Sequence, residues 1–144
     1  MNIAKLGLKY FCVLFIGLLI PNYAAAIDDA VATDGKPYQI IDGNIDKNTF
    51  EGWRTYNGGG CGQCHGPGGI GDSGKNLAES PVIKNNDKVK FVDYVTNGVP
   101  NTRMKPNRND GRVMKNLDNL FSYLKARSDG ALGPKNLIKF PLGK

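Results

Sequence analysis

Cys61-Gly62-Gln63-Cys64-His65 is the stretch from which the rest of the chain is read. C-x-x-C-H is the spacing of covalent haem attachment. Two thiols three positions apart can add to the two vinyl groups along one haem edge, and the adjacent histidine then reaches the iron from one face. Gly62 presents no side chain to keep the backbone off the porphyrin. Cys61 and Cys64 are therefore candidate thioether positions, and His65 is the candidate proximal iron ligand. Three other chemistries use such a pair. A structural zinc site needs four ligands, and beyond the first 26 residues the chain has no further cysteine or histidine. A thioredoxin-like pair sits in a strand–helix setting, whereas this pair sits among glycines. An isolated disulfide leaves His65 without a role.

The flanks point the same way. Gly58 to Gly74 is dominated by glycine and reads as loop. It contains two patterns that mimic phosphate-binding loops, Gly66-Pro67-Gly68-Gly69-Ile70-Gly71 and Gly69 to Lys75. Both need a preceding buried strand and a following helix, and Asn76 stands where the second needs Ser or Thr. The glycines are expected instead to let the backbone pass close to the haem.

Upstream, Asn48 or Thr49 can cap a helix in which Phe50, Trp53 and Tyr56 recur at helical spacing until Gly58-Gly59-Gly60 stops it. Downstream, Asp87 can cap a helix over Lys88 to Asn97 that buries Val89, Val92 and Val95, with Gly98 and Pro100 beyond. The strongest helical stripe follows: Val113, Leu117, Leu120, Phe121 and Leu124, with Lys115, Asn119, Ser122 and Lys125 on the other side, ending near Arg127. Three or four short helices joined by long loops result. Such loops in a small protein need something to wrap around. At 144 residues the chain is one domain, too short for a barrel or a doubly wound sheet.

The first 26 residues read as a cleaved signal peptide: Lys5 and Lys9, an apolar run from Phe11 to Ile20, then Ala24-Ala25-Ala26. Ten apolar residues are too few for a membrane anchor, which needs about 20. Export places the protein in the periplasm. Residues 27–47 read as an irregular arm with one strand-like stretch at Tyr38-Gln39-Ile40-Ile41, and residues 48–144 as the domain with its C-terminal tail. Without Lys5 and Lys9 the charge falls from +6 to 17 − 13 = +4, and the lysines are spread rather than clustered. No nucleic-acid role is expected from that distribution.

The second axial ligand decides what such a site does. His65 is the only histidine, so the candidates are Met104 and Met114. Met114 falls on the stripe of Leu117 and Phe121 and reads as core. Met104 lies in an extended loop beside Pro106, where a side chain can be aimed at a fixed point, and is the preferred distal ligand. A His/Met pair raises the reduction potential. With both axial positions filled the iron exchanges electrons and has no open site for substrate, which describes a carrier and not an enzyme.

The C-x-x-C-H loop, the later methionine and the terminal helix resemble class I cytochromes c. A narrower resemblance is to the small cytochromes that serve quinoprotein alcohol dehydrogenases, including those of ethanol dehydrogenase and lanthanide-dependent methanol dehydrogenase. It is carried by Tyr38 to Gly43, Gly52-Trp53-Arg54, Cys64-His65-Gly66-Pro67, Val95-Thr96-Asn97-Gly98, Leu117 to Arg127 and the tail Asp129-Gly130-Ala131-Leu132-Gly133. The family often has Met-Pro at the distal position, where this chain has Met104-Lys105-Pro106. The resemblance implies an all-α class I cytochrome c fold around one covalent haem c in a monomer. It further implies single-electron acceptance from a pyrroloquinoline quinone-dependent methanol or alcohol dehydrogenase and delivery to a downstream cytochrome or oxidase. A general periplasmic shuttle to a terminal oxidase and a haem-based sensor are the alternatives.

Overall fold

A computed structural model describes residues 35–41 and 44–133. The expected signal peptide, residues 27–34 of the arm and residues 134–144 lie outside them. The described arm forms two short antiparallel strands, β1 (Ile40–Ile41) and β2 (Asn44–Ile45), in register Ile40 to Ile45 and Ile41 to Asn44. Asp46 ties this ladder to the first helix, α1 (Lys47–Gly58). One carboxylate oxygen accepts from the Thr49 N–H at 2.9 Å; the other accepts from Thr49 Oγ1 at 2.6 Å and the Gln39 N–H at 2.7 Å. The cap is thus Asp46 and not Asn48 or Thr49. A carboxylate satisfies the free N–H groups of a helix start and sits favourably at its positive end.

The glycine-rich stretch is more ordered than its composition indicates. It contains a helical turn, α2 (Gly62–His65), and a 3-10 turn at Pro67–Gly69. Beyond it come α3 (Pro81–Lys84), α4 (Lys88–Asn97), α5 (Gly111–Lys115) and α6 (Leu117–Ser128). Six helices among the described residues exceed the expected three or four because α2, α3 and α5 are each about one turn long. Among the described residues no helix is long and apolar enough to cross a membrane.

The frame is the crossing of α1 and α6. Gly52 makes it possible: a Cβ built there would lie 1.9 Å from the Asn119 carbonyl oxygen and 2.8 Å from Tyr123 Cβ. The helices touch backbone to backbone. The α1 residues buried are therefore Thr49, Gly52, Thr55 and Tyr56, while Phe50 and Trp53 are half-buried and stack on each other at 5.4 Å. On α6, Leu120, Phe121 and Leu124 are buried as the stripe predicts, and so are Tyr123, Ala126 and Arg127. Ser122, expected on the polar side, is buried as well and donates to the Asp118 carbonyl at 3.0 Å.

Asp87 caps α4 as expected, accepting from the Lys90 N–H at 3.0 Å. Its buried face differs from the expected one: Phe91 and Val95 are buried, Val92 is partly so, and Val89 is 84% exposed. Phe91 and Val95 are four apart and share a face, whereas Val89 points about 200° away from Phe91. Phe91 packs on Phe121 at 5.1 Å with rings tilted by 57°, a favoured aromatic arrangement. The terminal helix expected from Val113 onward is broken at Asn116, whose side-chain amide donates to the Arg112 carbonyl at 2.9 Å. The break lets α5 turn onto α1 while α6 keeps its own direction.

Candidate functional site

Three glycines precede Cys61, and α5 explains two of them. A Cβ on Gly58 would meet Arg112 Nη1 at 2.1 Å, and one on Gly59 would meet Val113 Cγ2 at 2.8 Å. A side chain at Gly59 would push α5 off the end of α1, whereas at Gly58 the exposed Arg112 side chain would have to swing aside. Cys61 then starts a helical turn: its carbonyl accepts from the Cys64 N–H at 3.3 Å and the His65 N–H at 2.9 Å. Positions i, i+3 and i+4 lie on one helix face. The turn therefore gathers Cys61, Cys64 and His65 on one side, the geometric content of C-x-x-C-H.

The following loop folds back on this turn. The Gly71 N–H donates to the His65 carbonyl at 2.7 Å, and the Gly74 N–H to the Cys64 carbonyl at 2.6 Å. Gly66, at φ +71°, has no room for a Cβ, which would lie 2.6 Å from the Gly71 oxygen. These glycines serve self-packing of the loop. From inside, Tyr56 donates its hydroxyl to the Gly66 carbonyl at 2.6 Å. Burial pushes this phenol well above its ordinary range, so it stays a neutral donor.

His65 Nδ1 lies 2.7 Å from the Lys75 carbonyl oxygen. A carbonyl can only accept, so the neutral ring has its proton on Nδ1 and its lone pair on Nε2. Such a bond fixes both tautomer and ring orientation in metal-binding histidines. Cys61 and Cys64 form no disulfide with each other. Cys61 is half-buried, and its burial pushes the thiol up. Its surroundings favour a neutral sulfur over a thiolate.

Met104 approaches from the opposite wall. Gly98, at φ +76°, ends α4, and a Cβ there would strike the Met104 carbonyl oxygen at 2.6 Å. That carbonyl accepts from the Val99 N–H at 3.1 Å, and the Met104 N–H donates to Thr102 Oγ1 at 3.1 Å. Arg103 crosses to the His65 side and donates to the Ser73 carbonyl at 2.9 Å. The loop thus holds Met104 against the core.

Between the walls is an open, apolar cleft. Cys61, His65 and Met104 line it together, with Ile83, Phe91 and Leu124 from α3, α4 and α6. Cys64 is not on the lining and stands exposed at the surface of α2. Met114 is also absent from the lining. It is half-buried rather than core, 4.0 Å from the Thr96 hydroxyl. A nitrogen ligand with a fixed tautomer, a thioether sulfur and a thiol around an apolar slot fit a haem c.

Residues 47–124 match the family described as cytochrome c oxidase, cbb3-type, subunit III. Cytochrome c-555 of Methylococcus capsulatus is 33% identical over 96 residues, 66% of this chain and 75% of that protein. The chain belongs to the class I c-type cytochromes. The solved c-type cytochrome XoxG from Methylobacterium extorquens AM1 has the same fold, with TM-score 0.59 and 22% identity over 78% of this chain and 77% of that one. As a class I cytochrome c, this protein is an electron-transfer protein with covalently bound haem c, and the expected all-α fold holds.

Two contributors to the cytochrome's site escaped the sequence reading. The Lys75 carbonyl is backbone, and no side-chain pattern encodes it. Arg127 had a signal: it continues the Leu120, Phe121, Leu124 stripe at i+3 and so falls on the buried face.

Proposed function

We propose that this cytochrome carries one haem c, with Cys61 and Cys64 as the thioether positions, His65 as proximal ligand and Met104 as distal ligand. In this reading it accepts single electrons from a pyrroloquinoline quinone-dependent methanol or alcohol dehydrogenase and passes them to a downstream cytochrome or oxidase. The observation that carries the reading is the meeting of Cys61, His65 and Met104 on one apolar cleft. Bound haem supplies a one-electron iron couple, whose potential a His/Met pair raises. The chain supplies the geometry. The Lys75 carbonyl leaves His65 Nε2 free to ligate, and Thr102 and Gly98 hold the Met104 backbone. Filling both axial positions leaves no site for substrate and makes a carrier, not an enzyme.

The donor assignment rests on the resemblance of Tyr38–Gly43, Gly52-Trp53-Arg54 and Asp129–Gly133 to cytochromes of quinoprotein dehydrogenases. Residues 1–26 act as a cleaved signal peptide and deliver the protein to the periplasm. Residues 27–47 form the arm, and 48–144 the monomeric haem domain with its tail. The description of the matching family favours a second reading, a general periplasmic shuttle to a terminal oxidase.

The test is the visible spectrum of the oxidised holoprotein after addition of a quinoprotein methanol dehydrogenase and methanol. Rapid growth of the reduced α-band, with much slower reduction by unrelated donors, supports the dedicated acceptor. Equal reduction by all donors favours the shuttle. No haem band under any condition sinks both.

A further inference from the structure

The buried Arg127, beside the tail Asp129–Gly133, has no part in the function proposed above. Arg127 is 6% exposed. Its Nε donates to the Gly68 carbonyl at 2.7 Å, and its Nη1 to the Leu132 carbonyl. Gly68 belongs to the turn following His65, and Leu132 is the buried end of the tail. Its guanidinium therefore straps the candidate haem loop to the tail.

A strap needs donors but not a charge. Arg127 forms no ion pair with a carboxylate among the described residues. The nearest acid in sequence, Asp129, pairs with Lys125 and accepts from the Tyr38 hydroxyl. The phenols near it, Tyr123 and Tyr56, are kept neutral by burial and offer it no negative charge. A buried cation of this kind is costly. Tyr56 and Leu124 both line the cleft, and Leu124 lies one turn before Arg127 on α6. The charge thus stands one side-chain layer behind the cleft wall, where low dielectric and distance from solvent leave it weakly screened.

We propose that Arg127 sets the reduction potential of the cytochrome, its fixed positive charge disfavouring the oxidised iron and so raising the potential. The inference rests on the reading that haem occupies the cleft. Reduction adds one electron and lowers the positive charge of the iron site by one unit. A nearby buried cation therefore favours the reduced state, and salt in the medium does little to change this.

The experiment is a redox titration of holoprotein for the wild type and the variants Arg127→Lys, Arg127→Gln and Arg127→Met. The neutral variants are expected to lose about tenfold in the one-electron reduction equilibrium, which is about 59 mV. Arg127→Lys keeps the charge and is expected to retain most of the potential, and raising the salt concentration is expected to leave the gap in place. Arg127→Gln retains a donor for Gly68 and decides the matter if the methionine variant does not assemble. The proposal is overturned if a folded neutral variant keeps the wild-type potential. It is also overturned if lysine falls as far as glutamine, or if no neutral variant yields holoprotein, since Arg127 would then act as a strap alone. A wild type without a c-type α-band would instead refute haem occupancy, so the two failures are distinguishable.

Discussion

Replacing Gly52 by alanine separates two physical effects of opposite sign. On an exposed helix, Gly→Ala stabilises by about 1 kcal/mol, because glycine loses more backbone entropy on folding. Here the new Cβ would lie 1.9 Å from the Asn119 carbonyl oxygen and 2.5 Å from its carbon. Relief to ordinary contact near ~3.5 Å requires α1 and α6 to separate by about 1.5 Å at their crossing. The obstacle is backbone within a helix, which cannot rotate away as a side chain can. Overpacking of this kind costs about 1–3 kcal/mol, and the backbone clash places it at the upper end. Net of the propensity gain, Gly52→Ala is expected to destabilise by about 2 kcal/mol, a fall in Tm of roughly 8–16 °C for a domain of this size. Thermal unfolding of the holoprotein by far-UV circular dichroism reads the difference. Gly58→Ala is the internal control. Its Cβ would meet the far end of exposed Arg112 at 2.1 Å, and that side chain can move. A Gly52→Ala protein as stable as the wild type, or more so, would refute the reasoning that this glycine sets the interhelical contact.

Met104→Ala is expected to lower the reduction potential and let the reduced protein bind carbon monoxide, while Met114→Ala does neither; redox titration and carbon monoxide difference spectra read both, and the reverse pattern would reassign the ligand. Tyr38→Phe removes a hydroxyl that donates to Asp129 at 2.9 Å and is expected to cost about 1.5 kcal/mol at neutral pH. Burial first, and then the bond to Asp129, push the Tyr38 pKa from 10.0 to about 12 in the folded protein. The raised value means its contribution is fully present below pH 10 and is lost as pH rises towards 12. The stability gap between wild type and Tyr38→Phe, from urea unfolding at successive pH values, should therefore narrow across that window, and a gap that stays constant would count against the Tyr38–Asp129 tether.

What was legible in the sequence was whatever a local rule encodes. C-x-x-C-H spacing is local, and so are the Asp87 cap and the stripe at Leu120, Phe121 and Leu124. What was not legible depended on contacts distant in the chain. Val89 and Phe91 both look apolar enough to bury, and only the position of Phe121 decides for Phe91. Ser122 looks polar, yet the packed fold buries it. Gly59 reads in sequence only as a helix stop, because its contact Val113 in α5 lies about fifty residues on. The break at Asn116 was hidden by an apolar stripe that runs straight through it, from Val113 to Leu117.

The departure at Met104-Lys105-Pro106 has a structural account in these long-range contacts. Pro106 lies against Gly98, where its nitrogen would be 3.0 Å from a Cβ. Proline has no N–H to leave unsatisfied at so close an approach. One residue later, Asn107 anchors the loop by donating its backbone N–H to the Val95 carbonyl at 3.0 Å and its side-chain amide to the same oxygen at 3.1 Å. On the other side of Met104, Arg103 reaches the Ser73 carbonyl. The methionine is therefore gripped from both flanks, by Asn107 to α4 and by Arg103 to the His65 loop. Lys105 lies between these anchors, exposed to solvent, and a residue can be accommodated there while Met104 still lines the cleft. The Arg103 grip also ties the Met104 loop to the loop that follows His65.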